Sequence, residues 1–355
     1  MCAAAAASGA DGGKASASEV PQSATEEKRR LWMAAIKPPM YSVGVIPVMV
    51  AAAAVFAETG CAPWLRLGGF LLAAILVIAW LNLSNDAFDA ATGVDKSKRE
   101  SVVNLTGNRT GVLVAANALL LGGVSLLYAL LAGGGDARPA AMLAGAIACG
   151  YVYQGPPFRL SYKGLGEPLC FVAFGPLATP AFYLALLPPL AGAGAGSAAA
   201  AAGAAAAAAA GAAAAAAPVA VAVPPTVWAL SALVGITTTV ILFCSHFHQI
   251  DGDIAAGKRS PLVRLGTERA TAVLLAATTA PYVLLVAAAV EGVLPLALIP
   301  ATALSLPSAL ALYRFAADNH TEPKAIAPLK IFATKLHMAF GLALVIGLWA
   351  SRQLA

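Results

Sequence analysis

Two short acidic stretches carry the residue types that can do chemistry. The first reads Asn85-Asp86-Ala87-Phe88-Asp89. Asn85 and Asp89 stand four apart, so on a helix they share one face. Two hard oxygen donors on one face can hold a hard divalent cation. The second reads Gln249-Ile250-Asp251-Gly252-Asp253, where Gln249 and Asp253 repeat that spacing. Lys96, Arg99 and Arg109 follow the first stretch; Lys258, Arg259 and Arg264 follow the second. Carboxylates with neighbouring Lys and Arg are what a magnesium diphosphate needs. The metal bridges protein and phosphate oxygens, and the cations neutralise the remaining charge. Asp86 and Asp95 also read as solvated cap and loop residues.

A third segment, Tyr151 to Pro168, is broken by glycine and proline and is rich in aromatics. It reads either as a lid, with Arg159 and Lys163 on phosphate and Tyr151, Tyr153 and Tyr162 near an aromatic acceptor, or as an interfacial aromatic belt. Lys37, before Pro38-Pro39, either snorkels to the membrane interface or reaches the diphosphate. His246 and His248 stand two apart and point to opposite sides of a helix, so they do not share a metal. Packing or hydrogen bonding suits them better. Five scattered cysteines show neither zinc spacing nor a disulfide framework.

Both acidic stretches end apolar helices, and ionisable residues at membrane depth are expensive and usually functional. The chain is 60% hydrophobic and only 11% charged, with mean hydropathy +0.79. A soluble domain carries about 25% charged residues, so the composition predicts an all-α, polytopic membrane helix bundle. Apolar runs long enough to span fall at 38–57, 67–88, 111–133, 139–157, 167–189, 225–248, 270–290, 293–315 and 331–351, which makes nine transmembrane helices. The Ala/Gly run at 190–217 reads as a low-complexity loop, since alanine contributes little to insertion. With nine spans, one side collects all the Lys and Arg except Arg66, Arg138 and Arg352. A tenth span would move the last two basic loops to the other side, so the positive-inside rule selects nine. The same rule explains the net charge of +5 better than nucleic-acid binding does. Residues 1–31 read as a disordered or targeting tail.

The two motifs, their order and the span count resemble the UbiA superfamily of intramembrane prenyltransferases over residues 32–352. Asn85-Asp86-x-x-Asp89 is similar to the first aspartate-rich motif of that family. The stretches NDAFDAATGVDKSKRESVVNLTGNR (85–109), YKGLGE (162–167) and GKRSPLVRLGT (257–267) resemble the branch that prenylates 1,4-dihydroxy-2-naphthoate. SHFHQ (245–249) is most similar to its plant, algal and cyanobacterial form, which uses a phytyl donor. Gln249 departs from the Asp that many members carry, leaving Gln249 or Asp251 to complete the second motif. The resemblance implies Mg2+ held by Asn85, Asp89 and Asp253, with Asp86, Gln249 or Asp251 contributing directly or through water. It also implies a prenyl diphosphate donor, loss of carbon dioxide from the alkylated position, and a plastid membrane with the basic side facing the stroma. Homogentisate and chlorophyllide are the alternative acceptors, and an ion-coupled transporter is the reading from another class.

Overall fold

The computed structural model describes residues 19–93, 100–132, 136–188 and 221–354. Lys96, Arg99 and the Ala/Gly run at 190–217 lie outside them. Helix α1 (Glu19–Ile36) begins inside the stretch read above as a tail. It ends at Lys37, whose left-handed backbone (φ 53°, ψ 52°) turns the chain through Pro38–Tyr41 into α2 (Ser42–Thr59). Then follow α3 (Trp64–Thr92), the short α4 (Val102–Thr106), α5 (Arg109–Leu131) and α6 (Arg138–Gln154). A span built from α7 (Gly166–Val172), a wide turn at Ala173–Ala178 and α8 (Thr179–Leu186) comes next. The second half holds α9 (Pro225–Ser245), α10 (Ile250–Ala255), α11 (Pro261–Val290), α12 (Leu298–Ala303), α13 (Leu306–Asn319), α14 (Pro323–Ile326) and α15 (Leu329–Leu354). Among the described residues there is no strand.

Among the described residues eight helical stretches are long and apolar enough to cross a membrane. Helix α6, with 17 residues, is the remaining expected span. At about 1.5 Å per residue it reaches about 25 Å, the short end of what a bilayer core needs. The fold is therefore the expected all-helical membrane bundle, with eight such spans among the described residues where the sequence predicts nine.

The buried core runs through α2, α3, α8, α9 and α15, with Phe70, Leu230, Leu233 and Leu344 inaccessible to solvent. In a bilayer, apolar burial does not drive helix association, so close backbone approach must. Gly175 shows how: a Cβ there would lie 2.7 Å from the Ser231 carbonyl oxygen and 3.1 Å from the Gly235 Cα. Pro176 withholds an N–H in the same place, and the chain loosens into a π-type turn over Ala173–Ala178. A second, smaller cluster of Ala35, Ala87, Val102, Val103 and Val112 packs α1 and α4 over the end of α3.

Candidate active site

Helix α3 is apolar from Leu67 to Leu81 and then presents Asn82, Asn85, Asp86 and Asp89 before Gly93, in a left-handed conformation (φ 77°), ends it. Its neighbours in space are the ends of α6 and α9 and the beginnings of α2 and α15. Together these surround one cavity of about 300 Å³. The polar rim comprises Lys37, Asn85, Asp86, Asp89, Gln154, His246, Gln249, Lys258 and Lys330; the depth is apolar, with Ile78, Leu81, Ile147, Leu169 and Phe174. The first motif thus lines this space with Asn85, Asp86 and Asp89, and the second reaches it through Gln249.

The acidic residues have distinct surroundings. Asp86 is buried; it accepts from Lys37 Nζ at 2.9 Å and from the Val102 backbone N–H at 3.1 Å. Asp89 accepts from Gln154 Nε2, and Ser161 Oγ donates to Gln154 Oε1 at 2.7 Å. Asn85 Oδ1 is buried and has no hydrogen-bond partner. In the second motif the Asp253 N–H donates to the Gln249 carbonyl at 2.7 Å, closing the single turn that sets the two side chains i and i+4. Asp253 is 1% exposed, packed behind the wall that His246, Gln249 and Lys258 present to the cavity. His246 Nδ1 lies 3.3 Å and Lys258 Nζ 3.7 Å from its oxygens, without hydrogen-bond alignment. Burial pushes the Asp253 carboxyl up, but the His246 imidazole and the Lys258 ammonium outweigh that and hold it below the ordinary carboxylate value. Asp251 is exposed and does not line the cavity.

The segment between α6 and α7 joins the motifs. Tyr162 OH bonds Thr92 Oγ1 at 2.8 Å at the end of α3, and its ring carries Lys258 Nζ 4.9 Å from the centroid. The Tyr162 carbonyl accepts from the Arg259 N–H at 2.9 Å, and the Lys163 carbonyl from Arg264 Nη2 at 2.7 Å. Gly164, at φ +75°, permits this contact, because a Cβ there would stand 2.4 Å from the Arg259 carbonyl oxygen. The segment starts at Arg159, which with Lys37 is one of two non-glycine residues of left-handed backbone among those described. Such strain persists where the surroundings over-determine it, often at functional sites.

Other expected contacts fall elsewhere. Tyr153 lines the cavity, whereas Tyr151 is 39% exposed, donates to the Pro156 carbonyl and stacks edge-on with Phe88. Arg109, Lys163, Arg259 and Arg264 are exposed and do not line the cavity; Arg109 Nε donates to the Ala87 carbonyl at 2.9 Å. Sequence reading missed Gln154, Glu167, Asn82 and Lys330. Glu167 is half-buried, but both its carboxylate oxygens are buried without a hydrogen-bond partner, one of them 3.6 Å from His246 Nε2, so His246 stands between two carboxylates.

The donor set suits magnesium. Asn85 Oδ1 and both Asp253 oxygens are buried acceptors without donors, which a cation would satisfy. Among the described residues no three His, Cys, Asp or Glu converge on one point. Magnesium tolerates this, since it takes one or two carboxylates and completes its shell with phosphate and water.

Comparison with known proteins places the chain in a family. Residues 44–336 match the UbiA prenyltransferase family. The chloroplastic 2-carboxy-1,4-naphthoquinone phytyltransferase of Arabidopsis thaliana is 44% identical over 336 residues, covering 95% of this chain and 81% of its own. The enzyme of that name from Synechocystis is 39% identical, covering 91% and 94%. Among solved structures, a UbiA homolog from Archaeoglobus fulgidus bound to GPP and Mg2+ superposes with a TM-score of 0.51 at 16% identity, covering 89% of this chain and 99% of that one. The chain belongs to the UbiA prenyltransferase family, and the protein is a membrane prenyltransferase.

Proposed function

We propose that this enzyme transfers a phytyl group from its diphosphate to 1,4-dihydroxy-2-naphthoate, with loss of carbon dioxide, as a step toward a phylloquinone-type naphthoquinone. The observation that carries this reading is the meeting of Asn85, Asp86 and Asp89 with Gln249 and Lys258 around one cavity whose depth is apolar. The names of the two full-length relatives favour the phytyl donor and the naphthoquinone skeleton.

Asn85, Asp89 and Asp253, with Gln249 beside them, are the residues that would hold magnesium, which supplies charge to the departing diphosphate. Lys37 and Lys258 border the same space and complement the phosphate oxygens. Asp86 orients Lys37, and Gln154 orients Asp89. The allylic carbon–oxygen bond breaks and its electron pair leaves with diphosphate. The apolar walls keep water from the resulting cation. The ring carbon bearing the carboxylate forms the new carbon–carbon bond; carbon dioxide then departs and its bonding pair restores the aromatic ring. This balance needs the dihydroxy form of the acceptor, because the quinone form is electron-poor and would require two further electrons. Tyr153 supplies an aromatic face for the acceptor.

The chloroplastic location in the Arabidopsis relative's name supports a plastid membrane, and the basic excess at the site end supports a stromal orientation. Purified enzyme given phytyl diphosphate, Mg2+ and each of 1,4-dihydroxy-2-naphthoate, homogentisate and chlorophyllide tests the acceptor by mass spectrometry. The expected product is the phytylated, decarboxylated naphthohydroquinone. Turnover of either other acceptor in its place overturns the reading.

A further inference from the structure

Asn82 lines the reaction cavity one turn of α3 before Asn85. Asn82, Asn85, Asp86 and Asp89 share one face of that helix, because steps of three, four and seven residues each come close to whole turns. At about 1.5 Å per residue, Asn82 stands about 4.5 Å deeper than Asn85 and about 10 Å deeper than Asp89. The cavity-lining residues that precede it on α3 are Val77, Ile78, Trp80 and Leu81. On this helix Asn82 is thus the last amide before the apolar depth.

That amide is uncommitted. Asn82 Nδ2 is buried and has no hydrogen-bond partner among the described residues. Thr238 and Ser245 line the same cavity, but their hydroxyls donate to the Val234 and Leu242 carbonyls at 2.8 and 2.6 Å. Gln154 Nε2 donates to Asp89. A buried N–H without an acceptor is costly, and an oxygen brought by a ligand removes the cost. A prenyl chain brings no oxygen. The diphosphate sits at the level of Asn85 and Asp89, and its allylic carbon points into the depth. The aromatic acceptor must meet that carbon, so its oxygens arrive at the level of Asn82.

We propose that Asn82 Nδ2 donates a hydrogen bond to the acceptor's C1 oxygen and stabilises the negative charge that this oxygen gathers when carbon dioxide leaves. This rests on the naphthoate reading above. When C2 takes the prenyl group, the C1–C2 π pair forms the new bond. The C1 hydroxyl becomes a carbonyl, and its proton passes to the departing diphosphate. The intermediate is a β-keto carboxylate. When the bond from C2 to the carboxylate breaks, its pair re-forms the C1–C2 double bond and the carbonyl pair moves onto the C1 oxygen. That oxygen then recovers the proton from diphosphate, and the hydroquinone is complete. Between apolar walls, one fixed N–H aimed at such an oxygen counts for more than it does in water. The C4 oxygen is not conjugated to C2 in this sense and gathers no comparable charge.

Asn82→Leu removes the amide at similar volume. Activity is expressed per site that binds a non-hydrolysable phytyl diphosphate analogue with Mg2+, so unfolded protein is not counted. The kcat for 1,4-dihydroxy-2-naphthoate should fall about a hundredfold, the scale of one lost oxyanion donor. Affinity for the donor analogue should stay within about twofold of wild type, since only the transition state loses an interaction. The same fall in kcat should appear with 1-hydroxy-2-naphthoate, which keeps the C1 oxygen and lacks the C4 one. Asn82→Ala, which opens space where Leu fills it, should behave alike. A kcat within about threefold of wild type in either variant overturns the proposal. So does donor affinity that falls in step with kcat, which assigns Asn82 to the diphosphate. A loss that vanishes with 1-hydroxy-2-naphthoate assigns it to the C4 oxygen and overturns the proposal too. Wild-type enzyme that prenylates neither naphthoate overturns the naphthoate reading instead.

Discussion

Asp86 and Asp89 lie three residues apart and are expected to fail differently. Asp86 neutralises Lys37 and caps the Val102 N–H in a buried setting. Removing one partner of a buried pair costs about 3–5 kcal/mol. Asp86→Ala should therefore lower the thermal unfolding temperature in detergent. Asp89→Ala leaves Gln154 able to turn to Ser161 and should preserve that temperature, while transfer falls about a hundredfold or more. Equal thermal stability of the two variants would contradict this division. Asp253 carries a pH expectation. Its carboxyl is held low by His246 and Lys258 against burial, so its charged form persists as pH falls until below the ordinary carboxylate range. Lys258→Ala removes one of the opposing groups, so the carboxyl should rise and Mg2+-dependent donor binding should be lost at a higher pH than in wild type. An unmoved acid limb would contradict that cause.

The α6–α7 segment is a strap between motifs that lie far apart in sequence. Gly164 is its closest approach, and Gly164→Ala meets both a positive φ and the Arg259 carbonyl. The strap must shift, and a shift of about 1 Å at a reacting centre can cost about a hundredfold. The variant should keep wild-type helical content by circular dichroism and lose at least tenfold in kcat; full activity would deny the strap a positioning role. The strap also marks where sequence reading stops. Asn85 with Asp89 and Gln249 with Asp253 are legible because an i, i+4 spacing is a local property of a helix. The aromatic, glycine-broken segment was legible as a lid or a belt. Its role as a seam was not, because Tyr162 meets Thr92 across 70 residues and Gln154 meets Asp89 across 65. Glu167 escaped for the same reason, since only the fold sets its carboxylate 3.6 Å from His246 Nε2. The spans were legible from apolar length alone.

Across the whole molecule the basic residues and both motifs gather at one end, and Cys61 is exposed in the turn between α2 and α3 at the other. A membrane-impermeant maleimide should label Cys61 and an Asp251→Cys variant from opposite sides of sealed vesicles; labelling of both from one side would contradict the topology. The central claim is that Asn85/Asp89 and Gln249/Asp253 hold a single magnesium diphosphate between them. Calorimetric titration of purified protein with a non-hydrolysable phytyl diphosphate analogue, with and without Mg2+, addresses it directly. Wild type should bind only with Mg2+, and Asp89→Ala and Asp253→Ala should each abolish that dependence while remaining folded. Metal-dependent binding of wild-type strength in either variant would contradict the claim.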